Sequence, residues 1–264
     1  MNLGKTVRLN RLFAHPSRRL CSVAVDHFIG YGIGLPPALQ QITQTLHAIV
    51  AGEPDAVTMH RGIAAAAWEP YAGRIPLILQ STLLRADEAD FFQIATVEDA
   101  VCLGADALAM VAFMRGANEV RYMKSIADCV SDGARFEMPI IVHIYPLKSK
   151  TEPIISYQPE DIAWAVHCAL ECGVDVIKVP FCNDVEAYRQ IVSDCPVPVV
   201  AAGGPKTETP LEALQVLQKV VQSGARGAVV GRNVWSAPDI TMAVRAIKSV
   251  VHDGVEPSAA LELQ

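Results

Sequence analysis

The 264-residue chain lacks several features that would place it in a class at once. No apolar run reaches the roughly 18 residues needed to cross a bilayer, so no transmembrane helix is expected. Positive charge is not in excess. A formal net charge of -6 argues against general nucleic-acid binding, which leaves a basic footprint. Charged residues make up only 19% of the chain and hydrophobic residues 51%, which excludes a disordered polymer and allows a large core. The seven cysteines form no CxxC pair and are odd in number. That fits a reducing, cytoplasmic setting better than a disulfide framework. Cys168 and Cys172, four apart on an expected helix, read as small buried residues rather than metal ligands. No GxGxxG follows the first apolar run, which weighs against a doubly wound dinucleotide-binding sheet.

No linker or low-complexity tract divides the chain, so residues 1–264 are expected to form one domain. Its outer parts are an N-terminal arm at 1–20 and a tail at 255–264 that frays or packs on another subunit. The first twenty residues, "MNLGKTVRLNRLFAHPSRRL", hold no acid and no secretory apolar core. Their composition leaves a transit peptide open, but they are not serine-rich, which favours a basic arm lying over the floor of the fold.

What the chain does have is a repeated plan: a short apolar run, then a longer amphipathic segment. The runs are 21–26, 55–60, 75–80, 106–112, 139–145, 174–180, 197–203 and 227–231. Each is rich in Val, Ile and Ala without alternation, as in strands buried on both faces. "PPALQQITQTLHAIVAG", "PEDIAWAVHCALECG" and "TPLEALQVLQKVVQSGA" between them have helical periodicity, and the last two carry early proline and acids. Eight such units in this length predict an α/β fold, a single (β/α)8 TIM barrel. The segment Ser81 to Ala95 is too long for an ordinary connection and predicts an extra element.

In such a barrel the functional residues stand at the C-terminal ends of the strands. The polar residues there are Asp26, His27, His60, Gln80, His143, Tyr145 and Lys178, with Gly203–Gly204 after strand seven and Gly231–Arg232 after strand eight. Lys178 interrupts the apolar run "GVDVIKVPF", and alternation points it away from Ile177 and Val179. Burial among apolar side chains disfavours an ammonium and leaves more neutral amine, the form that attacks a carbonyl to make a Schiff base. An ammonium paired with an inward acid is the structural alternative. Asp26 and Tyr145 at other strand ends could hold substrate and move protons. Glycines after strands seven and eight, with Arg232 beside them, fit a phosphate site. His27, His60 and His143 could ligate zinc, but no HxH pair exists, and lining or substrate contact is the simpler reading. Trp164 and His167 read as packing or subunit contact, and Lys148, Lys150 and Lys206 as rim or solvated charges.

With these residues in place, the chain resembles the class I aldolases of the archaeal-type fructose-bisphosphate aldolase group, within the deoxyribose-phosphate aldolase-like superfamily. "VDHFIGYGIGL", "DAVTMHRGIA", "CLGADALAM", "GVDVIKVPF", "CPVPVVAAGGPKTETPLEAL" and "SGARGAVVGRNVWSAPD" carry the resemblance. It implies Lys178 as the Schiff-base lysine, Asp26 as the strand-one aspartate and Tyr145 as the proton-transfer tyrosine. It places the phosphate loops at Gly203, Gly204, Gly231 and Arg232; His27, His60 and His143, on their position at the rim, are expected around the substrate. It also implies no metal, no cofactor, a phosphorylated small-molecule substrate and a homo-oligomer of several barrels. Phe28 stands where the family has glycine, the loop after it is short, Pro146-Leu147-Lys148 replaces Pro-Arg-Gly, and His143 replaces an aromatic residue. The expected activity is a metal-independent aldolase acting on a phosphorylated ketose or related keto compound, fructose 1,6-bisphosphate being one candidate. A transaldolase- or thiolase-type transferase using the same lysine is the alternative.

Overall fold

A computed structural model describes residues 2–27, 36–84, 91–151 and 153–262; Phe28 and the loop after it lie outside these. The strands are β1 Leu20–Ala24, β2 Ala56–His60, β3 Leu77–Gln80, β4 Thr82–Leu84, β5 Phe91–Gln93, β6 Ala107–Met114, β7 Ile140–Pro146, β8 Val176–Val179, β9 Val199–Ala202 and β10 Gly227–Val230. Eight of them close a parallel barrel in the order β1-β10-β9-β8-β7-β6-β3-β2. The doubly wound alternative is thereby excluded, and the expected eight runs are the eight barrel strands. The extra element in 81–95 is an antiparallel pair, with Thr82 opposite Gln93.

Alternation along each strand divides the core in two. Leu20, Ala24, Ala56, Ile78, Ala107, Ala109, Ile141, Val176, Val200 and Val229 pack together inside the barrel. Their neighbours in sequence, such as Val23, Val57, Leu77, Leu108, Val142, Ile177 and Val199, pack against the helices. Both sets are buried, which is why the strands read as unbroken apolar runs.

The N-terminal helix Leu3–Leu12 supplies Leu12 and Phe13 to the interior cluster. Lys5 pairs with Asp175 at 2.9 Å and Arg11 with Asp106 at 3.1 Å. Both acids lie just before a barrel strand, so the basic arm does lie across the floor. Beneath it His15 stacks on His252 with centroids 3.9 Å apart, and His252 Nε2 lies 2.8 Å from Asp55 Oδ2, tying both ends of the chain to the floor.

Helices Pro159–Glu171 and Pro210–Gln222 begin and end as their prolines, acids and glycines predict. Thr209 and Glu212 form a reciprocal capping box. The segment expected as one helix over 36–52 is broken instead into Pro37–Gln40 and Ile42–Ala51. Gln41 leaves helical geometry (φ -108°, ψ 57°), and the Thr45 hydroxyl donates to the Ala38 carbonyl in its place. The tail is packed from Gly254 through helix Pro257–Ala260. Helix Pro257–Ala260 buries both terminal residues, and Gln218 Nε2 donates to Glu256 Oε2 at 3.0 Å. Ala260 belongs to the main core, and burying it fixes the segment on its own barrel. Cys168 is buried and Cys172 partly so, and burial raises the Cys168 thiol to about 11, as expected of packing cysteines. No helix among the described residues is long and apolar enough to cross a membrane.

Candidate active site

The interior register continues past the apolar layer into polar side chains. Two residues after Ala24 comes Asp26, after Ile78 comes Gln80, after Ile141 come His143 and Tyr145, and after Val176 comes Lys178. Period-two alternation thus aims each of them into the mouth of the barrel. All eleven strand-end residues singled out from the sequence, the three histidines included, line one cavity of about 510 Å3, a size that suits a small ligand.

Lys178 is 6% exposed and paired in register with His143 on β7 and Val200 on β9. Asp26 accepts from Gln80 Nε2 at 3.0 Å, and His27 Nδ1 lies 3.4 Å from its other oxygen. Burial alone would raise the Asp26 carboxyl, but His27, Lys178, His143 and His60 outweigh it and hold the group below the usual carboxylate range. Burial lowers His27 to about 4 against the pull of Asp26, so at neutral pH His27 is uncharged. Burial and the nearby Lys178 take His143 well below an ordinary imidazole. Tyr145 is pushed above an ordinary phenol by burial and by the Asp26 charge. At neutral pH the mouth therefore holds an ionised Asp26, a protonated Tyr145 and neutral His27 and His143 around Lys178.

The glycines at the other side of the mouth have reasons beyond ligand approach. A Cβ at Gly231 would meet His27 Cε1 at 2.5 Å and the Ala24 carbonyl at 3.0 Å. One at Gly203 would meet Val230 Cα at 2.8 Å, and the Gly203 N–H is spent on the Val229 carbonyl. Only Gly204, at φ +69°, faces open space. Arg232 Nη2 donates to the Gly204 carbonyl at 2.9 Å, joining the two loops. Asn233 strengthens the junction: its Oδ1 accepts from Thr207 N–H at 3.0 Å and its amide donates to the Pro205 carbonyl at 3.1 Å.

Thr82, Thr207, Asn233, Tyr157 and Asn183 also line the cavity and were not foreseen. Thr82 continues the parity of Ile78 and Gln80, so alternation carried one step past the strand would have found it. Lys148, Lys150 and Lys206 are exposed and stand outside the cavity wall. Trp164 is 45% exposed, under the Arg115 guanidinium at 5.9 Å. Among the described residues no group of three or more His, Cys, Asp or Glu side chains is placed to hold a metal ion.

A family model for DeoC/LacD family aldolases matches residues 20–237, the whole barrel. The chain belongs to the DeoC/LacD aldolase family. It is 32% identical over 260 residues to 2-amino-3,7-dideoxy-D-threo-hept-6-ulosonate synthase of Halobacterium salinarum, covering 98% of this chain and 95% of that one. It is 34% identical over 204 residues to the class 1 fructose-bisphosphate aldolase of Thermoproteus tenax, covering 76% of each. An archaeal fructose 1,6-bisphosphate aldolase structure superposes with a TM-score of 0.82 at 30% identity, over 95% of this chain and 100% of that one. A second such structure, with its catalytic lysine bound to the carbinolamine intermediate of the substrate, gives 0.82 at 30% identity over 94% and 99%. The protein is a class I aldolase, a lyase of the Schiff-base kind.

Proposed function

We propose that this aldolase makes or breaks a carbon–carbon bond in a phosphorylated ketose or related keto compound, with Lys178 as the imine-forming residue. The observation that carries the proposal is the placing of buried Lys178 in one cavity with Asp26 and Tyr145, Arg232 and Gly204 lining the same mouth.

The neutral amine of Lys178 attacks the substrate carbonyl, and loss of water gives an iminium that accepts electrons as the bond cleaves. Ionised Asp26 holds a substrate hydroxyl and favours the cationic iminium. The proton lost from the substrate hydroxyl on cleavage passes to water; Tyr145, kept protonated by burial and by Asp26, is suited to give a proton to the enamine carbon and recover one from that water, and hydrolysis of the product iminium frees Lys178. The phosphate lies against Gly204 and the Gly231–Arg232 turn, where the Arg232 guanidinium brings positive charge to the anion.

Fructose 1,6-bisphosphate is one candidate substrate. The similarity to a heptulosonate synthase supports the second reading, a transferase that passes the lysine-bound fragment to a different acceptor. The test is cleavage of fructose 1,6-bisphosphate and related keto-phosphates, with and without added acceptor aldehydes, by the wild type and by Lys178→Met. Turnover that needs the acceptor supports the transferase; undiminished turnover by the variant overturns the assignment of Lys178. Assembly into a homo-oligomer, implied by the resemblance, is checked by light scattering after gel filtration.

A further inference from the structure

A buried amide side chain can be oriented only if something fixes which end is oxygen. At Gln80 the fixing is done by Thr82. The Thr82 backbone N–H, which can only donate, lies 3.2 Å from Gln80 Oε1. The Thr82 hydroxyl accepts from the Val111 N–H at 2.8 Å, so its own proton is available for Gln80 Oε1, at 3.0 Å. Both contacts demand oxygen at that end. The amide nitrogen therefore faces the cavity, and its two protons have two acceptors: Asp26 Oδ2 at 3.0 Å and His143 Nδ1 at 3.4 Å.

A nitrogen that accepts cannot also carry a proton in a neutral ring, so the His143 proton resides on Nε2. Gln80 is 1% exposed and His143 is 2% exposed, so their mutual contact lies in the buried wall of the cavity. His143 and Lys178 are register partners on adjacent strands and share the cavity wall.

We infer that Gln80 is a positioning residue that locks His143 as its Nε2–H tautomer, and that His143 donates a hydrogen bond from Nε2 to the oxygen on the carbon attacked by Lys178. The inference rests on the Schiff-base reading of Lys178. As the Nζ–C bond forms, the carbonyl π pair moves onto oxygen, and the proton shed by Nζ ends there, giving the carbinolamine hydroxyl. His143 keeps its own proton throughout and stabilises the charge that builds on that oxygen. The substrate class follows: a ketone or aldehyde whose oxygen is recognised by a neutral donor, its phosphate lying elsewhere.

Two measurements test this. Long-range 15N–1H correlation spectra of histidine-labelled protein at neutral pH, with His143 assigned by its loss in His143→Gln, read the tautomer directly. A protonated Nε2 with a bare Nδ1 is expected, and a mixed population in Gln80→Leu. A protonated Nδ1 in the wild type overturns the inference whatever the activity. The second measurement is the rate at which borohydride-trappable adduct forms with dihydroxyacetone phosphate and fructose 1,6-bisphosphate. Glutamine can place an N–H near the position of imidazole Nε2, whereas asparagine and leucine cannot. His143→Gln should therefore stay within about tenfold of wild type, and His143→Asn and His143→Leu should fall on the order of 100-fold. Saturating ligand concentration should move less. Equal losses in all three overturn the donor role. Absence of adduct in the wild type instead overturns the Schiff-base reading on which the role depends, and the spectra distinguish that failure from a wrong tautomer.

Discussion

His143 and Lys178 are register partners across the parallel pair β7 and β8, and both side chains are buried in the mouth of the barrel. The His143 imidazole is held well below its ordinary value by burial and by the nearby Lys178. His27 behaves likewise, at about 4. Unfolding restores both to about 6.5. Above that value neither side chain is charged in either state; below it the unfolded chain takes up protons that the native site refuses. Stability should therefore fall as pH drops from about 6.5 toward about 4, by on the order of 3 kcal/mol for His27 alone. Urea midpoints measured between these limits check the slope, and a flat profile would contradict buried neutral histidines.

Tyr145→Phe removes the phenol and keeps the ring. Turnover should fall roughly 100- to 10,000-fold, the usual worth of a positioned proton donor, while borohydride trapping on Lys178 persists. Steady-state turnover and trapping on the same preparation make the comparison. Loss of trapping together with turnover would move Tyr145 from proton transfer to imine formation or packing.

Arg232→Leu takes one cation and the tie to Gly204 from the proposed phosphate side. A rise in KM larger than the fall in kcat is expected, with weaker inhibition by inorganic phosphate. Unchanged phosphate inhibition would place the anion elsewhere.

Gly231→Ala adds a methyl 2.5 Å from His27 Cε1 and 3.0 Å from the Ala24 carbonyl. Overpacking of this kind costs typically about 1–3 kcal/mol. Chemical denaturation should show it without any ligand present, since the clash lies within the fold. A variant as stable as wild type would mean that His27 moves aside at little cost.

The barrel was legible because buried parallel strands leave continuous apolar runs, and eight of them recur with longer segments between. The lining of the candidate site was legible because inward parity and strand ends coincide: Lys178 follows Val176, and Tyr145 follows Ile141 and His143. What escaped notice depends on chain paths that periodicity does not encode. The break at Gln41 hangs on one hydroxyl, Thr45, reaching back to Ala38. Asn233 acts across a gap of 26 residues to Thr207. Gly231 was read as room for an anion; that a Cβ there would first meet the His27 ring, three residues past β1, was not.

The central claim is that Lys178 forms an imine. Incubation with dihydroxyacetone phosphate or fructose 1,6-bisphosphate, reduction with borohydride and peptide mapping by mass spectrometry test it most directly. A reduced adduct is expected on the peptide containing Lys178, and none in Lys178→Met. A folded, active enzyme that yields no adduct there, or yields one on another lysine, would contradict it.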